Sequence, residues 1–265
     1  MTIHSYALST IPESGAVKSW EYEALTDPGR VRANNEDAIA VDPALGLAVL
    51  ADGMGGYNGG EVASGMAIAL LRASFGLWLA HAGSQAPVRS VRLALQVGTD
   101  EANSAILEAG SANPDLQGMG TTLVLAVFNP ERIVVGHIGD SRCYRLRDGH
   151  LDQLTRDHSL MQDQLDAGLI TPEQAALSPH RNLVTRALGI ERAVDLEITE
   201  YPVLPDDVYL LCSDGLSEMV RDADILQILL QPHALIEKAA LLVAAANDNG
   251  GRDNISVVLA RAIGT

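Results

Sequence analysis

The chain has 265 residues, 47% of them hydrophobic and 20% charged, with a formal net charge of -16. That length suits one large domain or two small ones, and the apolar content fills an aliphatic core, which excludes a disordered chain. So much negative charge argues against nucleic acid and anionic membrane surfaces as partners.

Residues 1–18 show no periodicity and read as an N-terminal arm before a single domain spanning 19–265. No basic-then-apolar leader is visible in residues 1–19, so a cytoplasmic protein is expected. Trp20, Tyr22 and Ala24 alternate with Glu21 and Glu23, which predicts a first strand. Asp27-Pro28-Gly29 is a turn signal. Residues 38–41 and 47–51 flank Asp42-Pro43 as a hairpin would. The second of these runs ends at Asp52-Gly53-Met54-Gly55-Gly56, an aspartate followed by glycines that let backbone approach a ligand.

Two helices are predicted next, over about 60–82 and 87–108. The stretch 62–82 is the most apolar, but Arg72 interrupts it and Gly, Ala and Ser are frequent, so it reads as a buried helix rather than a membrane span. Strands follow at 121–128, 132–138, 143–146 and 150–154, separated by Asn129-Pro130 and by Asp148-Gly149, a hairpin signal. Residues 159–188 change character. They are polar, helical around Leu160, Gln164 and Leu165, then loop-like through Thr171-Pro172 and Ser178-Pro179. Strands return at 195–200, 208–212 and 255–262, with helices near 221–230 and 233–246. Hairpin-linked strands predict largely antiparallel sheets, and paired helices predict layers covering their faces, an α+β fold. Cys143 and Cys212 both lie in apolar runs and read as two buried thiols of a reducing compartment.

Several chemistries are absent from the sequence. It has no Gly-x-x-x-x-Gly-Lys-Ser/Thr loop, no Gly-x-Ser-x-Gly elbow around Ser213 and no His-Glu-x-x-His helix. What stands out instead is a set of aspartates where apolar segments end or turns begin: Asp37, Asp52, Asp140, Asp214 and Asp253. One such residue is ordinarily a cap or turn aspartate. Five together supply an oxygen-only ligand set suited to Mg2+ or Mn2+, and they cannot crowd together ionised without counter-charge.

Six ordered segments carry a resemblance: Gly29-Arg30-Val31-Arg32-Ala33-Asn34-Asn35-Glu36-Asp37, Ala51-Asp52-Gly53-Met54-Gly55-Gly56, Gly118-Met119-Gly120-Thr121-Thr122, His137-Ile138-Gly139-Asp140-Ser141-Arg142, Leu211-Cys212-Ser213-Asp214-Gly215-Leu216 and Arg252-Asp253-Asn254-Ile255-Ser256. Over roughly residues 20–262 the chain resembles the metal-dependent protein phosphatases of the protein phosphatase 2C family, in their compact bacterial form. The resemblance implies an α-β-β-α sandwich of two packed antiparallel sheets flanked by helix pairs, with 159–188 as a flap beside the site. It implies that Asp52 bridges two metals and that the Gly53 carbonyl ligates one of them. Asp214 and Asp253 would complete the other, Asp37 would act through water or from behind the ligands, and Asp140 would serve a third metal shared with Asp214. Arg32 would grip the substrate phosphate, where a guanidinium fork fits and Lys would not.

The implied activity is hydrolysis of phosphoserine and phosphothreonine in proteins by water held between Mn2+ or Mg2+ ions, with no phosphoenzyme. The implied partners are phosphoproteins and a bacterial Ser/Thr kinase, with the protein acting as a monomer. Two alternatives are a phosphatase dedicated to one regulatory phosphoserine of an anti-sigma antagonist, and a silent relative that only binds phosphoproteins. Some eukaryotic relatives carry a His where Met54 stands, which leaves the proton donor for the leaving group unassigned. His158 is expected to brace a loop and Arg186 to brace the flap. For Pro179-His180-Arg181-Asn182 two readings stand, contact with the substrate protein or a surface insert.

Overall fold

The computed structural model describes residues 17–55, 59–83, 86–176, 178, 180 and 183–264. Most of the expected arm therefore lies outside the described residues, as do Pro179, Arg181 and Asn182 of the flap. Val17 is buried and the Lys18 N–H donates to the Ile263 carbonyl, so the packed body reaches back at least that far.

The chain begins with β1 (Ser19–Asp27) and the hairpin β2 (Asp37–Asp42) and β3 (Leu47–Met54). Two long helices follow, α1 (Gly59–Ala82) and α2 (Val88–Ala112), then a 3-10 turn at Pro114–Leu116. Next come β4 (Gly120–Thr121), β5 (Leu123–Phe128), β6 (Arg132–Ile138), β7 (Arg142–Arg147) and β8 (His150–Gln153). The flap carries α3 (Leu160–Asp166) and α4 (Pro172–Ala176). The chain then forms β9 (Glu197–Pro202), β10 (Val208–Cys212), α5 (Asp214–Ser217), α6 (Asp222–Leu230), α7 (Leu235–Asp248) and β11 (Ile255–Ile263).

The strands make two sheets. One has the order β1-β11-β10-β7-β8; the other has β2-β3-β5-β6-β9, with β4 added on β3. Every pairing among the described residues is antiparallel. Strict alternation explains how each sheet can be apolar on both faces. Along β3, Ala48 and Leu50 face the other sheet, while Leu47, Val49 and Ala51 face α1 and α2. Three apolar layers result. The middle one joins the sheets through residues such as Leu50, Phe128 and Tyr209, and the outer ones seat α1–α2 and α6–α7. Each such side chain contributes about 1.5–3 kcal/mol by leaving water.

Helix α1 is long and apolar enough to cross a membrane by composition. Here it covers a sheet instead, burying Ala63, Ala67, Leu71 and Phe75 in the outer core.

Three local features differ from the sequence expectation. Strand β3 does not stop at Ala51; it runs on to Met54 by exchanging β5 for β4 as its partner. Thr122 makes the exchange possible, because its N–H donates to the Asp52 carbonyl and its Oγ1 accepts the Asp52 N–H. Helix α4 replaces the loop expected after Thr171, since Pro172 opens a helical turn as well as it ends one. Asp214 begins the short helix α5 rather than simply ending a strand.

Candidate metal centre

The five aspartates converge where the two sheets meet their connecting loops. Asp37 and Asp52 are direct partners in the β2–β3 register, so one hairpin delivers two carboxylates to one end. Asp214 follows β10 and Asp253 precedes β11, its antiparallel neighbour. Asp140 occupies the turn between β6 and β7.

Two residues outside the predicted set hold this arrangement. Ser213 is fully buried; its hydroxyl donates to Asp37 Oδ2 at 2.8 Å and accepts the Ser256 N–H at 3.0 Å. One hydroxyl thus ties a carboxylate of one sheet to the end of the other. Asn254 is the second. Its Oδ1 accepts the Glu36 N–H at 2.8 Å, and its Nδ2 donates to the carbonyls of Pro28 and Asn34. It therefore fixes the loop that carries Arg32 and leads to Asp37. The motif strings include both residues, but only the contacts reveal what they do.

The two Asp-Gly pairs share a steric reason. A Cβ on Gly53 would lie 2.1 Å from the Gly60 carbonyl oxygen and 2.5 Å from that of Glu36. A Cβ on Gly215 would lie 1.9 Å from the Asn254 carbonyl oxygen. Each glycine admits a neighbouring backbone segment beside a candidate ligand aspartate.

Burial and mutual repulsion dominate the electrostatics. Asp52 and Asp214 are both held well above the ordinary carboxylate range. Burial is the main cause, followed by Asp37 for the first and Asp140 for the second. Burial also raises Asp37 to about 6, against the hydrogen bonds it receives from Ser256 and Ser213. Asp140 is raised to about 6 by burial and by nearby Asp157. Asp214 Oδ1 is buried with no hydrogen-bond partner. An orphaned carboxylate oxygen among four other acids calls for a cation, and an all-oxygen donor set fits a hard divalent one.

Arg32 stands at the rim, its guanidinium 2.7 Å from Asp253 Oδ2 and its side chain half exposed. Met54 extends β3 opposite Gly120 and brings no titratable group. His158 is buried; its Nδ1 accepts the Gly139 N–H and its backbone N–H donates to the Gly139 carbonyl, which braces the turn before Asp140. Arg186, expected to brace the flap, makes no hydrogen bond or ion pair among the described residues. His180 is exposed.

Among the described residues, the tight trio of potential ligands is His137, His158 and Glu197, not the aspartates. Sequence reasoning did not single out this trio. Three of its four ring nitrogens are already engaged: His137 Nε2 meets the Arg156 carbonyl, His158 Nδ1 takes the Gly139 N–H, and His158 Nε2 meets Glu197. The rings stack at 4.6 Å. It is a closed brace, whereas the aspartates are short of partners, so the aspartates are the better cation site.

Comparison with known proteins gives a consistent result. The sequence pattern of the family described as Protein phosphatase 2C matches residues 30–255. The serine/threonine protein phosphatase PstP of Mycobacterium tuberculosis is 44% identical over 240 residues, covering 90% of this chain. The chain spans only 44% of that relative's length. The serine/threonine phosphatase stp of Listeria innocua is 39% identical over 240 residues, covering 89% of this chain and 94% of that protein. The crystal structure of the PstP catalytic domain in complex with two manganese ions superposes with a TM-score of 0.80 at 42% identity, covering 92% of this chain and 98% of that one.

Proposed function

The chain belongs to the protein phosphatase 2C family, and from that premise we propose that it is a metal-dependent phosphoserine/phosphothreonine protein phosphatase. The observation that carries the reading is the convergence of Asp37, Asp52, Asp140, Asp214 and Asp253 around an unpartnered Asp214 oxygen, with Arg32 at the rim. The two manganese ions bound by the similar PstP domain support Mn2+ or Mg2+ as the cofactor.

Asp52, Asp214 and Asp253 would hold the core ions with the Gly53 carbonyl, and Asp140 would hold a further one with Asp214. Bound there, hard divalent ions supply positive charge for phosphoryl oxygens and acidify a water for attack. The protein's own groups do the rest. Ser213 keeps the Asp37 carboxylate oriented through its hydroxyl. Arg32 presents a planar fork at the open side of the site, so a phosphate ester entering there meets two parallel donors. Release of Arg32 from Asp253 would accompany metal binding at that carboxylate. No cysteine competes as nucleophile. Cys143 and Cys212 are fully buried, and burial pushes the Cys212 thiol to about 12 and the Cys143 thiol higher still.

A bacterial Ser/Thr kinase and its substrates are the fitting counterparts, given the bacterial phosphatases to which the chain is similar. Two buried free thiols suit a reducing, cytoplasmic setting. One chain supplies every residue of the site, so a monomer suffices.

The test is phosphate release from phosphoserine and phosphothreonine peptides with Mn2+ and with a chelator. Release that requires Mn2+ is expected. A Mn2+-loaded protein that binds phosphopeptides without hydrolysing them would replace this reading with that of a silent binder.

A further inference from the structure

A cavity of about 420 Å3 opens from the metal centre beneath the flap. Asp140 and Asp214 form one end; Met161 and Leu165 of α3 form the flap wall, and Met219 and Arg252 line it as well. Among the described residues, two cations line it. Arg142 is committed, since its Nε and Nη2 both bond the Asp157 carboxylate and its Nη1 donates to the Tyr144 hydroxyl. Arg252 is not: among the described residues it makes no ion pair or hydrogen bond, and its side chain is exposed.

The backbone beneath Arg252 is held firmly. Gly250 and Gly251 have φ of 124° and 49°, Gly251 N–H donates to the Ala246 carbonyl, and its own carbonyl accepts the Arg30 N–H at 2.7 Å. The next residue is Asp253. The backbone is thus held next to a candidate ligand, while the Arg252 side chain lies unpaired among the described residues on the wall of the cavity that contains two others.

The cavity's other acids are accounted for. Asp157 is paired with Arg142, Glu218 adds negative charge beside Asp140 and Asp214, and bound cations would offset these carboxylates. Among the described lining residues, Arg252 is the cation left without a counter-charge.

We propose that Arg252 selects phosphopeptides carrying a second anionic group beside the residue to be dephosphorylated. This rests on the phosphatase reading above and specifies its substrate class. Arg252 adjoins the candidate ligand Asp253 in sequence, and an extended peptide advances about 3.3 Å per residue. The second group, a carboxylate or another phosphate, therefore lies within about two residues of the scissile phosphate.

The test compares kcat/KM for phosphopeptides identical except at one neighbouring position, which carries Asp, a second phosphoserine or Gln. Each is measured with the Mn2+-loaded wild type and with R252Q, R252K and R252E. The ratio of anionic to neutral peptide within one enzyme cancels any change in metal loading caused by the nearby Asp253. The wild type should favour the anionic peptides about fivefold, near the upper end for a partly exposed ion pair. R252Q should bring the ratio to about one, R252K should keep most of it, and R252E should invert it. A preference for the doubly phosphorylated peptide alone would identify the second group as phosphate; a preference for both would show that a carboxylate suffices. Equal rates in the wild type, or a preference that survives R252Q, would overturn the inference while leaving the phosphatase reading intact. No hydrolysis of any of the peptides by the wild type would overturn both.

Discussion

Replacing Asp37 by Asn should make the metal-free protein more stable and the metal-loaded protein comparatively less so. The Asp37 carboxyl titrates at about 6 in the fold, raised chiefly by burial, against about 3.9 in an unfolded chain. A carboxylate raised on folding opposes the fold once it is ionised. The penalty is absent below about pH 4, grows as pH rises and is complete above about pH 6. Two pKa units correspond to about 3 kcal/mol of destabilisation at pH 7 and about half of that at pH 5. Asp37 and Asp52 share one hydrogen-bonded site, so the proton belongs to the pair. Asn keeps an oxygen to accept the Ser213 hydroxyl and removes the charge. The assay is urea unfolding with chelator at pH 5, 6 and 7, for wild type and Asp37→Asn. The variant should be more stable at pH 7, with the difference shrinking by about half at pH 5. Saturating Mn2+ should then stabilise the wild type by about 2.7 kcal/mol at a hundred times Kd, and the variant by less. A metal-free variant less stable than wild type at pH 7, or a difference independent of pH, would refute the electrostatic reading of the cluster.

Asp214→Ala should lower phosphate release at least about a thousandfold and weaken Mn2+ binding measured by calorimetry, because it removes the orphaned oxygen and its carboxylate partner. Arg32→Ala should raise KM for a phosphopeptide about tenfold or more, and Arg32→Lys should recover little, since an ammonium lacks the fork. Unchanged kinetics in both would remove Arg32 from the site. Gly53→Ala should cost more than about 3 kcal/mol in unfolding experiments, because the new methyl would lie 2.1 Å from the Gly60 carbonyl oxygen. A soluble, fully stable variant would show that this backbone contact yields.

Much of this was legible in one dimension. Alternation in residues 20–24 gives β1, and Asp148-Gly149 gives the β7–β8 hairpin, with Asp148 at a φ of 49°. Both are local, set by side-chain period and backbone sterics within a few residues. The candidate ligands were equally plain, because aspartates at segment ends, three of them beside glycines, are visible without coordinates. The failures are instructive for the same reason. Helices α4 and α5 have five and four residues, too short to show a helical period. Arg186 and His158 read alike as polar braces, one for the flap and one for a loop. Burial separates them: His158 is enclosed and braces Gly139, whereas Arg186 is exposed.

The sequence by itself determined the chemistry available: a set of oxygen donors suited to hard cations, an arginine able to pair with phosphate, glycines at crowded turns, and alternating strands able to bury both faces. Only the tertiary structure decided how these act together. The β2–β3 register sets Asp37 opposite Asp52, and a serine 176 positions away donates to Asp37. The raised carboxyls come from neighbours on other elements and from the water those elements exclude. An interaction energy depends on distance and on the surrounding medium, and neither is a property of a residue's own segment.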